Sequence, residues 1–300
     1  MTATDGWFAG ADASDEDALV EAIRTGTADE PRDWPRIAVD TGFVSDEDDY
    51  YDALHEASIA AAGAVVSEQE GADDRQLVHA VRAMDDCRRT ANELAERVAE
   101  WGGTLDPDPG TGIEYARELV TRESISETDR DVDPRLEPVR SLATHVVALA
   151  EEADRLESLL EDRTPEVAPN LAALAGPVLA ARLISLAGGL ESLAKKPSGT
   201  VQVLGAEDAL FAHLRGHAPS PKHGVIYTHE AIRGTHPEHR GSAARAVAGK
   251  LAIAARIDHY SGERRPELET ELRERIETIQ ARTPADSTGS SDGGKGGTSR

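Results

Sequence analysis

Residues 139–160 place apolar side chains at alternating spacings of three and four: Val139, Leu142, Val146, Leu149, Ala153, Leu156 and Leu160. That period draws one stripe along a long helix and is incompatible with a strand, whose faces repeat every two residues. A second stripe runs over 75–101 through Leu77, Val81, Met84, Ala91, Ala95 and Val98, with Arg88 interrupting it. Glycines, prolines and acids separate the two, with a short helix expected over Ile113–Thr121. Two helices joined in this way form an antiparallel hairpin. A lone hairpin of this length leaves apolar surface in water, and a second hairpin from another copy removes it. The pattern therefore predicts a coiled-coil dimer using Leu77, Val81, Met84, Val98, Val139, Leu142, Val146, Leu149, Leu156 and Leu160. The alternative is an ordinary bundle packed on its own chain.

Around this hairpin the 300 residues leave room for about two domains. Apolar residues make up 39% but aromatics only 4%, and the dominance of Ala and Leu favours a mainly helical protein. The expected order is a small α/β N-terminal module (1–70), the hairpin (71–165), an all-helical domain (166–282) and a disordered Ser/Gly-rich tail (283–300). In the first module Ile37–Val44 reads as a strand and turn, Asp17–Thr25 and Tyr51–Val66 as helices, and Ser45–Asp52 as a solvated acidic loop. Pro165 and Pro169 mark the next boundary. Beyond it a helix from Thr200 is expected to bury Val203, Leu204, Leu210 and Phe211 with Gly205 inside it. A helix from Gly241 to Tyr260 turns Val247, Leu251, Ala254 and Ile257 inward, with Arg245 and Arg256 sharing another face. The last helix, Pro266–Ala281, reads as a solvated lid.

A single cysteine, Cys87, excludes an intrachain disulfide and a cysteine-rich zinc site. The first residues show no secretion signal. Residues 167–190 are long enough for a membrane span but are interrupted by Pro169, Asn170, Pro177 and Arg182, so a buried helix pair is expected. A chain free in the cytoplasm follows from this reading.

The net charge is −24, from 32 basic and 56 acidic residues. Only Lys195, Lys196, Lys222, Lys250 and Lys295 are lysines. Strong acidity with lysine depletion points to a salt-rich cytoplasm, as in a halophilic archaeon, where screening relieves self-repulsion. Against that background residues 195–265 carry eleven Lys/Arg and six Asp/Glu. One basic block in an acidic chain is a footprint for nucleic acid. Its candidates are Lys195, Lys196, Arg215, Lys222, His223, Arg233, Arg240 and Arg245, with Tyr227, His223 and His229 available to stack on unpaired bases. Gly205 marks a place where a polyanion approaches the backbone closely. His213 and His217 stand at a zinc-ligand spacing, which keeps a metal-dependent hydrolase as a distant alternative, but no catalytic Glu lies between them. Ser192–Lys195 fits a serine–lysine pattern without its companion motifs.

The stretches Gly188–Arg215, Pro221–Tyr227 and Arg240–Asp258, within Val167 to about Ile279, resemble the signature of the NOP-domain family. Its members include the archaeal scaffold of box C/D small ribonucleoproteins. The resemblance implies a non-catalytic scaffold. Its C-terminal domain would grip a kink-turn guide RNA together with the ribosomal-type protein seated on it. Its coiled coil would pair two copies, and its N-terminal module would hold fibrillarin, the 2′-O-methyltransferase. The chain itself would need no cofactor, since S-adenosylmethionine belongs to the methyltransferase. By similarity Lys195, the segment Gly205, Ala206, Glu207 and Asp208, and Lys222, His223 and Arg240 face RNA or the partner protein. Asp208 and Ala212 stand where relatives usually carry Lys and Arg. The short N-terminal module leaves open an RNA-binding module that acts without fibrillarin.

Overall fold

The computed structural model describes residues 6–12, 14–27, 30–106, 108–125 and 134–281. They divide into a unit up to Ala72 and a unit from Asp73 onward. The tail 283–300, expected to be disordered, lies outside the described residues.

The first unit contains α1 (Glu16–Thr25), α2 (Trp34–Asp40) and α3 (Glu47–Glu70). Its centre is aromatic. Phe8 stacks on Phe43 at 5.1 Å, Trp7 meets both edge-on, and the Trp7 indole donates to the Tyr50 hydroxyl at 3.2 Å. The α/β expectation for this module is corrected, because no strand occurs among its described residues. Residues 37–40, read as strand, belong to α2. A single strand here has no neighbour to satisfy its backbone, whereas Pro35 in the first turn of a helix removes an N–H that would be unpaired anyway. From that helix Ile37 packs against the aromatic cluster. The acidic loop at 45–52 is also corrected. The Asp46 carboxylate accepts from the Asp49 N–H at 2.8 Å and caps α3, while Glu47, Asp48 and Asp49 fill its first turn, where the helix dipole favours anions.

In the second unit α4 (Asp73–Gly102) and α6 (Glu137–Val167) form the hairpin, with α5 (Gly112–Ile125) packed on both. The stripe is spent inside the chain. Leu77, Val81, Met84, Val98, Val139, Val146 and Leu160 are all buried, and only Leu142, Leu149 and Leu156 remain half-exposed. The reason is the small residues between them. Ala91, Ala95, Ala143 and Ala153 let the helices approach closely, and the remaining apolar surface meets α5 and the C-terminal helices. The interrupting Arg88 answers a carboxylate on the opposite helix, Glu157, at 2.5 Å. On α5, the buried Tyr115 donates to Asp106 at 3.0 Å, and Arg122 binds the same carboxylate at 2.8 Å. Burial, with Asp106 beside it, pushes the Tyr115 phenol up to about 12. A Cβ on Gly102 would stand 2.5 Å from that hydroxyl, so a larger residue there displaces the Tyr115 ring.

Pro165 does not end the hairpin; it sits inside α6, which runs on to Val167. Then come α7 (Pro169–Ala175), α8 (Pro177–Ala187), α9 (Leu190–Lys195), α10 (Ser198–Val203), α11 (Glu207–Leu214), α12 (Glu230–Arg233), α13 (Arg240–Tyr260) and α14 (Glu267–Gln280). Among the described residues no single helix is long and apolar enough to cross a membrane. The bent pair α7–α8 instead buries Leu171, Leu179, Leu183 and Ile184 in the core. That core also takes in Leu77, Val81 and Met84 from the hairpin base and Val247 and Leu251 from α13. Alanines on α13 let its neighbours close in: Ala243, Ala244, Ala252, Ala254 and Ala255 are fully buried.

Two further expectations fail. The helix from Thr200 breaks at Gly205, whose φ of +80° suits glycine and ends α10 in a turn. Leu204 is buried, but Phe211 on the separate α11 is 55% exposed. The last helix is amphipathic, not a solvated lid: Leu268, Leu272, Ile276 and Ile279 are buried on one side of α14.

Candidate nucleic-acid interface

The site is built from a loop pinned to a helix end. The Gln202 side chain on α10 donates to the Lys222 carbonyl at 2.8 Å. The Gly224 N–H reaches the Gln202 carbonyl at 2.9 Å, and the Val225 N–H reaches that of Leu204 at 2.8 Å. A Cβ at Gly224 would stand 2.0 Å from the Leu204 oxygen, so this close backbone approach requires glycine. The pinning fixes Lys222 and His223 at the start of a 3-10 turn, Val225–Thr228.

There the His223 ring stacks on Tyr227 at 4.4 Å and 20°. The Arg240 guanidinium lies 5.6 Å from the Tyr227 ring centre and donates to the phenol oxygen at 3.2 Å. Its Nε donates to the Thr235 carbonyl at 3.1 Å, which holds the cation in place. Burial, then the neighbouring Arg240 and Lys222 charges, lower the His223 pKa, with only a backbone hydrogen bond opposing them. The shift favours the neutral imidazole, a flat ring stacked on Tyr227 with Lys222 next to it in the chain and Arg240 against the Tyr227 ring, an arrangement suited to stacking on a base while the cations meet phosphate.

A second cluster lies along α13, about 24 Å from Arg240 at 1.5 Å per residue. Arg256 donates to the Lys196 carbonyl at 3.3 Å, and Lys195 pairs with Glu191 across one turn of α9. That exposed pair raises the Lys195 pKa and lowers the Glu191 pKa. Arg245 and Arg256 both face outward on α13, with Ile253 40% and Tyr260 67% exposed. Arg256, Ile253 and Tyr260 were missed as candidates, although the shared angle of Arg245 and Arg256 was legible in the sequence. Phe211 and Leu214 on α11, the latter 70% exposed, were missed because a buried helix was expected.

The remaining candidates separate. Arg215 and Arg233 are exposed at the ends of α11 and α12. Gly205 and Ala206 lead into α11, and the Gly205 N–H donates to the chain's own Glu207 carboxylate at 2.8 Å. His229 is corrected as a stacking residue. Its Nδ1 accepts from the Ala231 N–H at 3.1 Å, so Nε2 carries the proton and donates to the Leu174 carbonyl at 2.8 Å. The ring is spent capping α12 and tying it to α7. His213 is likewise occupied, its Nδ1 2.9 Å from the Ala218 carbonyl. Among the described residues no group of three or more His, Cys, Asp or Glu is arranged to hold a metal.

Comparison with known proteins bears on the family of the chain. A family model described as Nop, snoRNA binding domain, fibrillarin, matches residues 72–281. A NOP5 family protein of Methanocaldococcus jannaschii is 34% identical over 279 residues, covering 83% of this chain and 67% of that protein. Nucleolar protein 58 of Schizosaccharomyces pombe is 35% identical over 218 residues, covering 63% of this chain. The chain spans only 43% of that nucleolar protein's length. Among solved structures, a crystal structure of a fibrillarin/Nop5p complex aligns with a TM-score of 0.49 at 25% identity, over 88% of this chain and 91% of that one. The family match covers the hairpin and every helix of the pinned loop and cationic stack, and on that match the chain belongs to the Nop family.

Proposed function

We propose that this protein is a non-catalytic scaffold of a box C/D small ribonucleoprotein. It binds a kink-turn guide RNA already folded by a ribosomal-type protein, and positions a fibrillarin-type methyltransferase for 2′-O-methylation. The observation that carries the reading is the pinned stack of His223, Tyr227 and Arg240 beside Lys222. The loop that carries it is pinned to α10 by backbone hydrogen bonds, and Lys222 and Tyr227 are exposed. Family membership over residues 72–281 supports it. The scaffold needs no cofactor of its own; S-adenosylmethionine is the methyltransferase's. The first unit faces that enzyme, and two copies meet through the half-exposed Leu142, Leu149 and Leu156 side of the hairpin.

In molar salt the Debye length falls to about 3 Å and counterion release contributes little, so affinity rests on packing, hydrogen bonds and stacking against a preformed surface. The test is reconstitution in 2 M KCl with guide RNA, the kink-turn protein and the methyltransferase. Methyl transfer that depends on this chain is expected, with a gel shift only once the kink-turn protein is seated. Tight binding to bare kink-turn RNA in that salt, or methyl transfer indifferent to this chain, contradicts the proposal.

A further inference from the structure

Three polar contacts join α4 to α8 and α9 in antiparallel order. The Asp74 carboxylate accepts from the Leu190 N–H at 2.8 Å, the Arg82 Nε donates to the Ser185 hydroxyl at 3.3 Å, and Arg182 binds the Asp85 carboxylate. The partners stand 116, 103 and 97 positions apart in the chain. Apolar packing lies alongside, with Val78 and Val81 of α4 and Leu183 and Ile184 of α8 buried. Arg182 is a poor choice for stability. Its Nε is buried without a partner, and its pair with Asp85 is 29% and 46% exposed, a setting in which an ion pair contributes little. Beside this seam a cleft of about 870 Å³ opens toward the pinned loop, bounded by Arg82, Asp85, Arg182, Leu186, Gly224 and Val225. Packing is interrupted there, so it is the polar contacts that bridge α4 and α8 on that side.

We infer that Asp74, Asp85 and Arg182 are positioning residues for methyl transfer: their seam sets the angle at which the hairpin leaves the C-terminal helices, and so the reach from bound RNA to the enzyme. Apolar burial is non-directional and holds α4 on α8 over a range of angles, whereas a hydrogen-bonded charge pair fixes one register. From Asp85 to Gly102 helix α4 runs about 26 Å at 1.5 Å per residue, so a tilt of about 10° at the seam moves the hairpin tip by roughly 4 Å. Methyl transfer tolerates far less, since a misplacement of about 1 Å can lower a rate on the order of a hundredfold. The inference rests on the scaffold reading, in which this hairpin is the chain between the RNA site and the enzyme-facing unit. A positional role accounts for an arginine with an orphaned nitrogen where a methionine would pack.

The experiment reconstitutes the full chain with guide RNA, the kink-turn protein and a fibrillarin-type methyltransferase. Arg182→Met is expected to keep helix content and melting temperature, and to leave the gel-shift midpoint on the RNA–protein complex unaltered. Its methyl transfer at saturating target RNA should fall by at least about tenfold, with product spread onto neighbouring nucleotides. Arg182→Lys, which keeps a cation on Asp85, should recover part of that loss. The angle itself is read from spin labels on Glu96→Cys and Glu274→Cys, both exposed positions, in a Cys87→Ser background. There Arg182→Met should broaden or shift the distance distribution. An identical distribution, or wild-type rate and product position in Arg182→Met, overturns the seam and leaves the scaffold reading intact. A fall in affinity that matches the fall in rate also overturns it, because the seam then only supports the binding site. No chain-dependent methyl transfer by the wild type overturns the scaffold reading, and the seam's part in transfer with it.

Discussion

Arg240 does two things with one guanidinium: it braces Tyr227 from above the ring and by its hydroxyl, and its Nε is anchored on the Thr235 carbonyl. Truncation to Ala removes a cation and loosens the ring that His223 stacks on. We expect Arg240→Ala to weaken assembly on the RNA–protein partner by about 1–3 kcal/mol, the range for lost stacking. Arg240→Lys keeps the charge but not the fork, and should recover only part of this. An unchanged gel-shift midpoint for Arg240→Ala argues that the stack does not touch the ligand. Elsewhere, buried Asp258 accepts from the Asn170 N–H at 3.0 Å, the Asn170 amide at 2.6 Å and the Leu171 N–H at 2.9 Å, joining the end of α13 to the start of α7. Burial raises its pKa, opposed by those hydrogen bonds and by Arg264. A carboxyl whose folded pKa is raised binds its proton more tightly when folded. Stability from this group is therefore greatest below the unfolded value near 3.8 and declines as pH rises through the folded value. Asp258→Asn sets an amide N–H₂ against a backbone donor and should destabilise by about 1–3 kcal/mol at neutral pH. The gap between mutant and wild type should widen toward acid, as the protonated wild-type group reaches its most favourable state. Thermal melts across pH 4–7 measure both, and a constant gap removes the titration argument. Neither residue's partners were readable from sequence: Asp258 and Asn170 are eighty-eight positions apart, and nothing local pairs them.

At the scale of elements, what was legible is what repeats. Alternating threes and fours located α4 and α6 to within a few residues, because a long apolar stripe has only one regular conformation that keeps it on one side. The same stripe did not say what it packs against, since periodicity reports a buried face and is silent on whose chain buries it. Here alanines at intervening positions and the crossing α5 seal Val98, Val139 and Val146 within one chain. Short elements were lost for the opposite reason. Over Ile37–Val44 eight residues carry too few repeats to distinguish α2 from a strand, and tertiary contact with Phe8 and Tyr50 decides it. If two copies pair as proposed, the contact falls on the half-exposed outer line of α6. Leu149→Asp, alone and with Leu156→Asp, is expected to give monomers by light scattering, with far-UV helicity retained in the single variant. Leu156 also packs on the core, so its effect on stability should exceed that of Leu149. Dimers that persist in Leu149→Asp exclude this line as the contact.

For the whole molecule the controlling quantity is charge density, and it is uneven. The first 72 residues carry −15 around one small aromatic cluster, Phe8, Ala38 and Tyr50 with their half-buried neighbours. The rest carries −9 over a core that joins α4, α7, α8, α13 and α14. Apolar burial grows with core size, whereas repulsion grows with the density of like charge, so the first unit has the less favourable ratio. Salt changes that ratio directly. The Debye length is about 30 Å at 0.01 M, longer than α3 spans from Tyr51 to Val66, and about 3 Å at 1 M, shorter than the spacing of successive helical turns. Raising KCl from 0.05 M to 2 M should therefore shift the melting of residues 1–72 upward by more than that of residues 73–281. Two separated transitions at low salt should draw together at high salt, read by the near-UV signal of Trp7 and Trp34 against far-UV helicity. Ion pairs such as Arg88–Glu157 work in the opposite direction, since screening weakens attraction too, but exposed pairs are worth only about 0–1 kcal/mol each. Transitions that move equally, or fall, with added salt mean that repulsion within the first unit does not govern its stability.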